Sequence, residues 1–143
     1  MNTPTATRSV FDRDNLFAWC IASHDAGQRT PEQRARMLVD LGIKSLAWGN
    51  RMAGAADLPK FDAEMQALQK HGIRMIGRYV PPQPAKEEWT QILDAMKRWN
   101  CDAQLWISEG NRAQAPTEHQ ARVLHEADRM GPLAKEEIGR AHV

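Results

Sequence analysis

The chain has 143 residues, of which 42% are hydrophobic and 26% are charged. This length allows one domain with a hydrophobic core, but it is too short for a complete (β/α)8 barrel, which typically needs about 250 residues. Its 19 basic and 18 acidic side chains are interspersed and leave a net charge of +1. Such a surface favours neither nucleic acid nor an anionic membrane as a partner.

Neither membrane insertion nor secretion is indicated by the sequence. Residues 1–15 are polar and aperiodic, lack the apolar core of a signal peptide, and are predicted to form an extended leader. The longest apolar stretch, Leu16 to Ala22, is far too short to span a bilayer. We therefore expect a cytoplasmic protein. Cys20 and Cys101 lie in or beside predicted strands without metal-type spacing, so we interpret both as packing residues.

A unit of amphipathic helix, turn residue and apolar strand recurs about every 30 residues. Residues 38–48, 68–78 and 96–106 are its three clearest copies, with Gly42, Gly72 and Asn100 at the turn. Glycine and asparagine both tolerate the left-handed conformation that ends a helix. The repeat predicts successive βα units of a parallel sheet.

The first predicted strand, Leu16 to Ala22, is continuously apolar, as expected of a strand covered on both faces. Thr30 is placed to cap the first helix, with Pro31 at its first position and Gln33 where a capping box requires it. The expected buried face of this helix comprises Ala35, Leu38, Val39 and Leu41.

Three further units follow. The predicted strands are Ile43–Trp48, Ile73–Val80 and Ala103–Ile107, and the predicted helices begin near Asp57, Lys86 and Thr117. The residues expected to be buried on these helices are Phe61, Met65 and Leu68, then Trp89, Leu93 and Met96, then Val123, Leu124 and Ala127. Gly131-Pro132 is expected to kink or divide the last helix. Trp19, Trp48 and Trp106 fall on strands, and we expect core positions in preference to a pocket wall.

These elements predict an α/β fold of four consecutive βα units with parallel strands, half of a TIM (β/α)8 barrel, within residues 16–136. Right-handed crossovers would place all four βα loops at one edge of the sheet. The alternative is a complete, small flavodoxin-like domain, which requires an interior strand order and helices on both faces.

Ligands of such sheets bind beyond the carboxyl ends of the strands. The leading candidates in those loops are His24, Asn50, Arg51 and Glu109, and the weaker ones are Ser23, Asp25, Tyr79, Ser108 and Asn111. His24 could serve as a general acid or base, and Glu109 could orient it or bind a sugar hydroxyl. Alternatively, these residues satisfy backbone groups of their own turns. No G-x-G-x-x-G or G-x-x-x-x-G-K-[ST] motif supports a dinucleotide or P-loop site.

At residues 16–21, 30–35, 61–64 and 68–73 the chain resembles the opening half of the xylose isomerase-like TIM barrels, the sugar phosphate isomerase/epimerase superfamily. The resemblance implies a barrel that binds a divalent metal and moves protons between neighbouring carbons of a sugar or polyol. In that family the metal ligands come from strands five to eight, so no catalytic or metal-binding residue transfers to this chain. His24, Asn50, Arg51 and Glu109 would line the carbohydrate pocket of an intact relative, while the metal is expected only in the full-length parent.

The last seven residues, 137–143, look like the translation of a sequencing adaptor. We therefore expect a non-native tail on a truncated, inactive isomerase, and the alternative is an authentic helical ending.

A rival function is a non-enzymatic half barrel that binds a partner or dimerises through its open sheet edges. Such a half barrel would expose an apolar concave face carrying Trp19 and Trp48.

Overall fold

The structure is a computed structural model that describes residues 9–21, 25–49, 54–107 and 116–138. In these ranges one parallel sheet has the order β1-β2-β3-β4, comprising β1 (Ala18–Trp19), β2 (Ser45–Trp48), β3 (Arg74–Val80) and β4 (Gln104–Ile107). The helices α1 (Pro31–Asp40), α2 (Leu58–Lys70), α3 (Lys86–Arg98) and α4 (Pro116–Ile138) alternate with the strands. The predicted α/β fold of four βα units is confirmed.

The strand order follows the chain without a reversal. A flavodoxin-like sheet would place the first strand inside the order, so the described sheet does not have that topology. Consecutive helices also contact one another in chain order, α1 with α2, α2 with α3 and α3 with α4. None of the described helices is long and apolar enough to cross a membrane.

The turns that end the first three helices have the same geometry. Gly42, Gly72 and Asn100 adopt φ values of +71°, +67° and +47°. In each case the following amide donates to a carbonyl five residues back, from Ile43 to Leu38, from Ile73 to Leu68 and from Cys101 to Met96, all at 2.9 Å. This is the Schellman arrangement, which satisfies carbonyls left free at a helix end. The predicted turn residues are therefore confirmed.

The start of α1 is capped as its sequence predicts. The Thr30 hydroxyl accepts a hydrogen bond from the Gln33 amide at 3.3 Å, and the Gln33 side chain accepts one from the Thr30 amide at 2.9 Å. This reciprocal pair satisfies two amides that have no partner within the helix.

The first strand is shorter than predicted. Cys20 has φ +52°, a left-handed conformation that interrupts an extended strand, and β1 consists of Ala18 and Trp19 alone. Upstream, Arg13–Asn15 form a 3-10 turn inside the predicted extended leader. An ion pair of 2.7 Å between Lys44 and Asp14 connects this turn to the segment before β2.

The hydrophobic core lies between the sheet and the helices. Phe61, Met65 and Leu68 of α2 and Trp89, Leu93 and Met96 of α3 are buried, as predicted. On α1, Ala35 and Leu38 are buried, but Val39 is 49% exposed and Leu41 is 53% exposed. Their predicted burial is wrong because Val39 is about 100° around the helix from Leu38, and Leu41 lies beyond the last helical residue.

The predicted buried face of α4 is also wrong. Val123 and Leu124 are exposed, whereas Met130 and Ala134 are buried. The reason is that α4 follows the last strand of the described sheet and packs mainly on α3, so none of the other described helices covers its far side to a comparable extent. Pro132 lies inside α4, which continues through it undivided.

The three strand tryptophans have different environments. Trp48 is buried in the core, as predicted, and packs edge-on against Phe61 of α2 with ring centroids 5.6 Å apart. It therefore faces the helices, and its place on the open concave face, predicted for the half barrel, is wrong. Trp19 is 59% exposed rather than buried in the core. Alternation along β1 explains this, because Ala18 faces the helices and the next residue faces away. Trp106 is half-buried.

Candidate functional site

The carboxyl ends of the four strands lie at one edge of the sheet because all three strand pairs are parallel. The segments that follow β1, β2 and β4 contain the predicted substrate-binding residues His24, Asn50, Arg51 and Glu109, all of which lie outside the described residues. Ser23, Ser108 and Asn111 lie outside them too. The described framework around these segments defines the candidate site.

Asp25 closes the turn that leads to α1. Its carboxylate accepts hydrogen bonds from the amides of Gly27 at 3.0 Å and Arg29 at 2.9 Å, and from the Arg29 guanidinium at 2.5 Å. Although desolvation opposes ionisation, the two amides and the guanidinium together lower the pKa of Asp25. Both carboxylate oxygens thus accept hydrogen bonds from residues of the same turn. This favours the interpretation that Asp25 stabilises its turn and does not bind a ligand.

Cys20 and Gly49 join the ends of β1 and β2. The Cys20 thiol donates to the Gly49 carbonyl with a sulfur–oxygen distance of 3.2 Å, and Gly49 has φ +99°. Burial raises the pKa of the Cys20 thiol, which keeps it protonated and able to donate. This contact fixes the two strand ends immediately before the segments that hold His24 and Asn50.

Glu88 connects α3 to the segment before α2. Its carboxylate accepts a hydrogen bond from the Ala55 amide at 3.0 Å. A side chain at Gly54 would collide with the same carboxylate oxygen, so glycine permits this close approach. Sequence analysis missed Glu88, and the available signal was only an acidic residue in the first turn of a helix.

Three aromatic side chains meet on the sheet face opposite the helices. Trp106 of β4 packs edge-on against Tyr79 of β3, with ring centroids 5.5 Å apart, and against Phe17, at 6.4 Å. Tyr79, one of the weaker candidates, is thus placed beside the indole near the carboxyl ends of the strands. In a closed barrel this face would be the interior.

Arg78 is the most unusual buried residue of the described framework. Its side chain is completely buried, and its guanidinium carbon lies 4.1 Å from the centroid of the Phe61 ring and 5.8 Å from that of Trp48. Its three nitrogens have no hydrogen-bond partner among the described residues. Burial lowers the pKa of Arg78 to about 10, and the charges of Cys101, Asp57 and Asp62 oppose this shift. The signal that could have identified it was a single arginine between Gly77 and Tyr79 in an otherwise apolar strand end.

No group of three or more His, Cys, Asp or Glu residues capable of holding a metal is found in the described parts of the chain. What the described edge supplies is a support in which Cys20 and Gly49 join the ends of β1 and β2, and Glu88 joins α3 to the segment before α2. Comparison with models of protein families and with curated protein sequences finds no match to this chain.

Proposed function

We propose that this chain forms the first four βα units of a metal-dependent sugar isomerase or epimerase barrel and is inactive alone. The observation that supports the proposal is the sequential, all-parallel strand order, which directs every βα segment to one edge. A (β/α)8 barrel is built from this order, and its active site lies at that edge. The resemblance of residues 16–21, 30–35, 61–64 and 68–73 to the isomerase superfamily supplies the reaction class.

In this proposal the four loop candidates bind and orient the carbohydrate. Asn50 and Glu109 hydrogen-bond hydroxyl groups, and Arg51 pairs with a negatively charged oxygen. His24 acts as the general acid or base, giving a proton to a substrate oxygen or taking one from it. A divalent metal, held by residues outside these four units, would polarise the substrate oxygens.

The test compares two proteins: the 143-residue chain, and the product of the source gene read through the genomic sequence downstream of codon 136. Both are assayed with Mn²⁺ and Mg²⁺ for interconversion of ketoses, aldoses and their phosphates. We expect turnover by the longer protein alone, abolished by EDTA and restored by Mn²⁺. In the longer protein, His24→Ala and Arg51→Ala should lower kcat/KM at least tenfold, as is typical of lost acid–base or charged contacts.

Gln91→Ala is the matched control because Gln91 is exposed on the outer surface of α3. It should leave kcat/KM unchanged. Two results would overturn the proposal: a genomic reading frame that stops directly after Val143, or a longer protein without activity on any of these sugars.

A second candidate function is a non-enzymatic interaction module. The observation that favours it is the presence of exposed apolar side chains at both ends of the sheet, including Trp19 and Leu124. Exposed apolar clusters of this kind are typical of surfaces that a partner covers.

A further inference from the structure

Large apolar side chains that are exposed are confined to the two outer units of the described fold. The first group comprises Val10, Phe11, Leu16, Phe17, Trp19, Val39 and Leu41, and the second comprises Val123 and Leu124. We call residues 10–19 with α1 the amino end, and β4 with α4 the carboxyl end. Within the described residues, the inner strands and the inner helices α2 and α3 expose no large apolar side chain. The two ends of the described fold therefore expose large apolar side chains, whereas the inner units do not.

Each end also has a strand with only one neighbour. In the described sheet β1 pairs with β2 alone, and β4 pairs with β3 alone. Unpaired amides and carbonyls along an edge strand form a template for another strand. A partner that covers both ends must therefore offer strand edges as well as apolar surface.

Aromatic side chains from the two ends of the sheet meet on the face opposite the helices. The ring of Phe17, just before β1, lies 6.4 Å from the ring of Trp106 on β4. In a closed barrel this face is the interior. The two ends therefore share one apolar surface on the side that a partner closing the sheet would cover.

A second copy of the chain satisfies all these requirements at once. Its β1 edge can extend the sheet beyond β4, and its β4 edge can do the same at β1, so that a two-fold axis parallel to the strands closes the ring. The nine exposed apolar side chains present about 600 Å² per copy, if each of the three aromatic ones contributes about 100 Å² and each valine or leucine about 50 Å². A standard protein interface buries about 800 Å² per partner, of which somewhat more than half is apolar, so the available apolar area is sufficient.

We infer that the chain forms a closed dimer in which the carboxyl end of each copy docks on the amino end of the other. The inference rests on the second candidate function, the interaction module, and is independent of isomerase activity. Each junction joins β4 to the partner's β1 and α4 to the partner's α1. Such a junction is heterologous, but because it occurs twice it generates a dimer instead of an open filament.

The test uses two charge variants of the full chain and their mixture. Val39→Lys/Leu41→Lys alters the amino end, and Val123→Lys/Leu124→Lys alters the carboxyl end. All four residues are exposed, so both variants should fold as the parent does, which circular dichroism verifies. Sedimentation equilibrium should give about twice 16.2 kDa for the parent and a single chain mass for each variant. Each variant should weaken dimerisation at least tenfold.

The equimolar mixture identifies the arrangement. A mixed dimer contains one junction with both altered ends and one junction with two unaltered ends, so dimerisation should return, more weakly than in the parent. Gln66→Lys/Gln91→Lys, which adds the same two charges to exposed positions on α2 and α3, should remain dimeric.

Four results would overturn the inference. Two concern the parent, which would be monomeric at 100 µM or more, or would assemble beyond two copies. The other two are a mixture that stays monomeric and a single variant that remains dimeric, because both would indicate contacts between like ends. In these last two cases the interaction module would stand while the end-to-end arrangement fails.

Discussion

The indole ring of Trp106 on β4 lies across Gly77 on β3, in the space that a side chain at Gly77 would occupy. A Cβ atom at this position would be 2.6 Å from Cζ2 of Trp106 and 2.8 Å from Cε2, closer than real Cβ contacts. Tyr79 packs against the same indole from β3. The missing side chain therefore determines how closely Trp106 can approach the sheet on its open face.

Gly77→Ala should lower the free energy of unfolding by about 1–3 kcal/mol, the usual cost of overpacking a rigid contact. The six-membered part of the indole is rigid, so the whole Trp106 side chain must move. Urea denaturation, monitored by circular dichroism, measures the change in the free energy of unfolding. In a Trp106→Leu background the same change should cost less than about 0.5 kcal/mol, because the obstacle is gone. Equal costs in both backgrounds would show that the predicted collision is not the cause.

Arg34 and Glu64 form a buried ion pair between α1 and α2. The Arg34 Nε atom lies 3.3 Å from one carboxylate oxygen, Nη2 contacts the other, and Glu64 is completely buried. Glu64→Leu should cost about 3–5 kcal/mol, because it leaves a buried guanidinium without its counter-charge. Arg34→Met/Glu64→Leu should recover most of this loss, since neither charge remains. Chemical denaturation of the three proteins would refute the prediction if the double variant were no more stable than Glu64→Leu.

The features that could be predicted from the sequence are those fixed by neighbouring residues. Thr30 and Gln33 form their capping box, and Gly42, Gly72 and Asn100 end three helices, because each motif depends on residues within one turn. The burial of Val39 and Val123 could not be predicted in this way. Helical periodicity identifies an apolar stripe, but which part of it is covered depends on neighbouring elements, and within the described residues each outer unit has a neighbouring unit on one side only.

The candidate site likewise has features that local sequence predicts and features that it does not. Sequence order placed the candidate residues after strands that are indeed parallel, but His24, Asn50, Arg51 and Glu109 lie outside the described residues and stay predictions. Glu88 was missed because its contact with Ala55 joins residues 33 positions apart, which no local pattern reports.

Arg78 should stabilise the folded chain less than an apolar side chain of similar size would at the same position. Removing a guanidinium from water costs several kcal/mol, and a cation–π contact returns only about 2 kcal/mol. With no hydrogen-bond partner among the described residues, Arg78→Met should therefore raise the free energy of unfolding by about 1 kcal/mol or more. Arg74→Met, at the exposed start of the same strand, is the control and should change stability by no more than about 0.5 kcal/mol. A loss of stability in Arg78→Met would mean that the guanidinium is paired in solution.

Glu32 should make the stability of the chain depend on pH below 4.5. Its carboxylate oxygen accepts from His71 at 2.9 Å and Lys70 at 3.0 Å, and lies 3.2 Å from Arg36. The hydrogen bonds from His71 and Lys70 lower the pKa of Glu32 from 4.5 to about 2. Because the pKa is lower in the folded state, the stabilisation is complete above pH 4.5 and is lost as the pH falls towards 2.

Glu32→Gln should therefore be less stable than the parent at pH 6, and the two thermal unfolding curves should converge near pH 2. Glu87→Gln on α3 controls for the loss of a surface carboxylate, and 1 M NaCl should shrink the difference at pH 6 by screening the exposed charges. A difference between parent and Glu32→Gln that stays constant from pH 6 to pH 2 would exclude ionisation of Glu32 as its source.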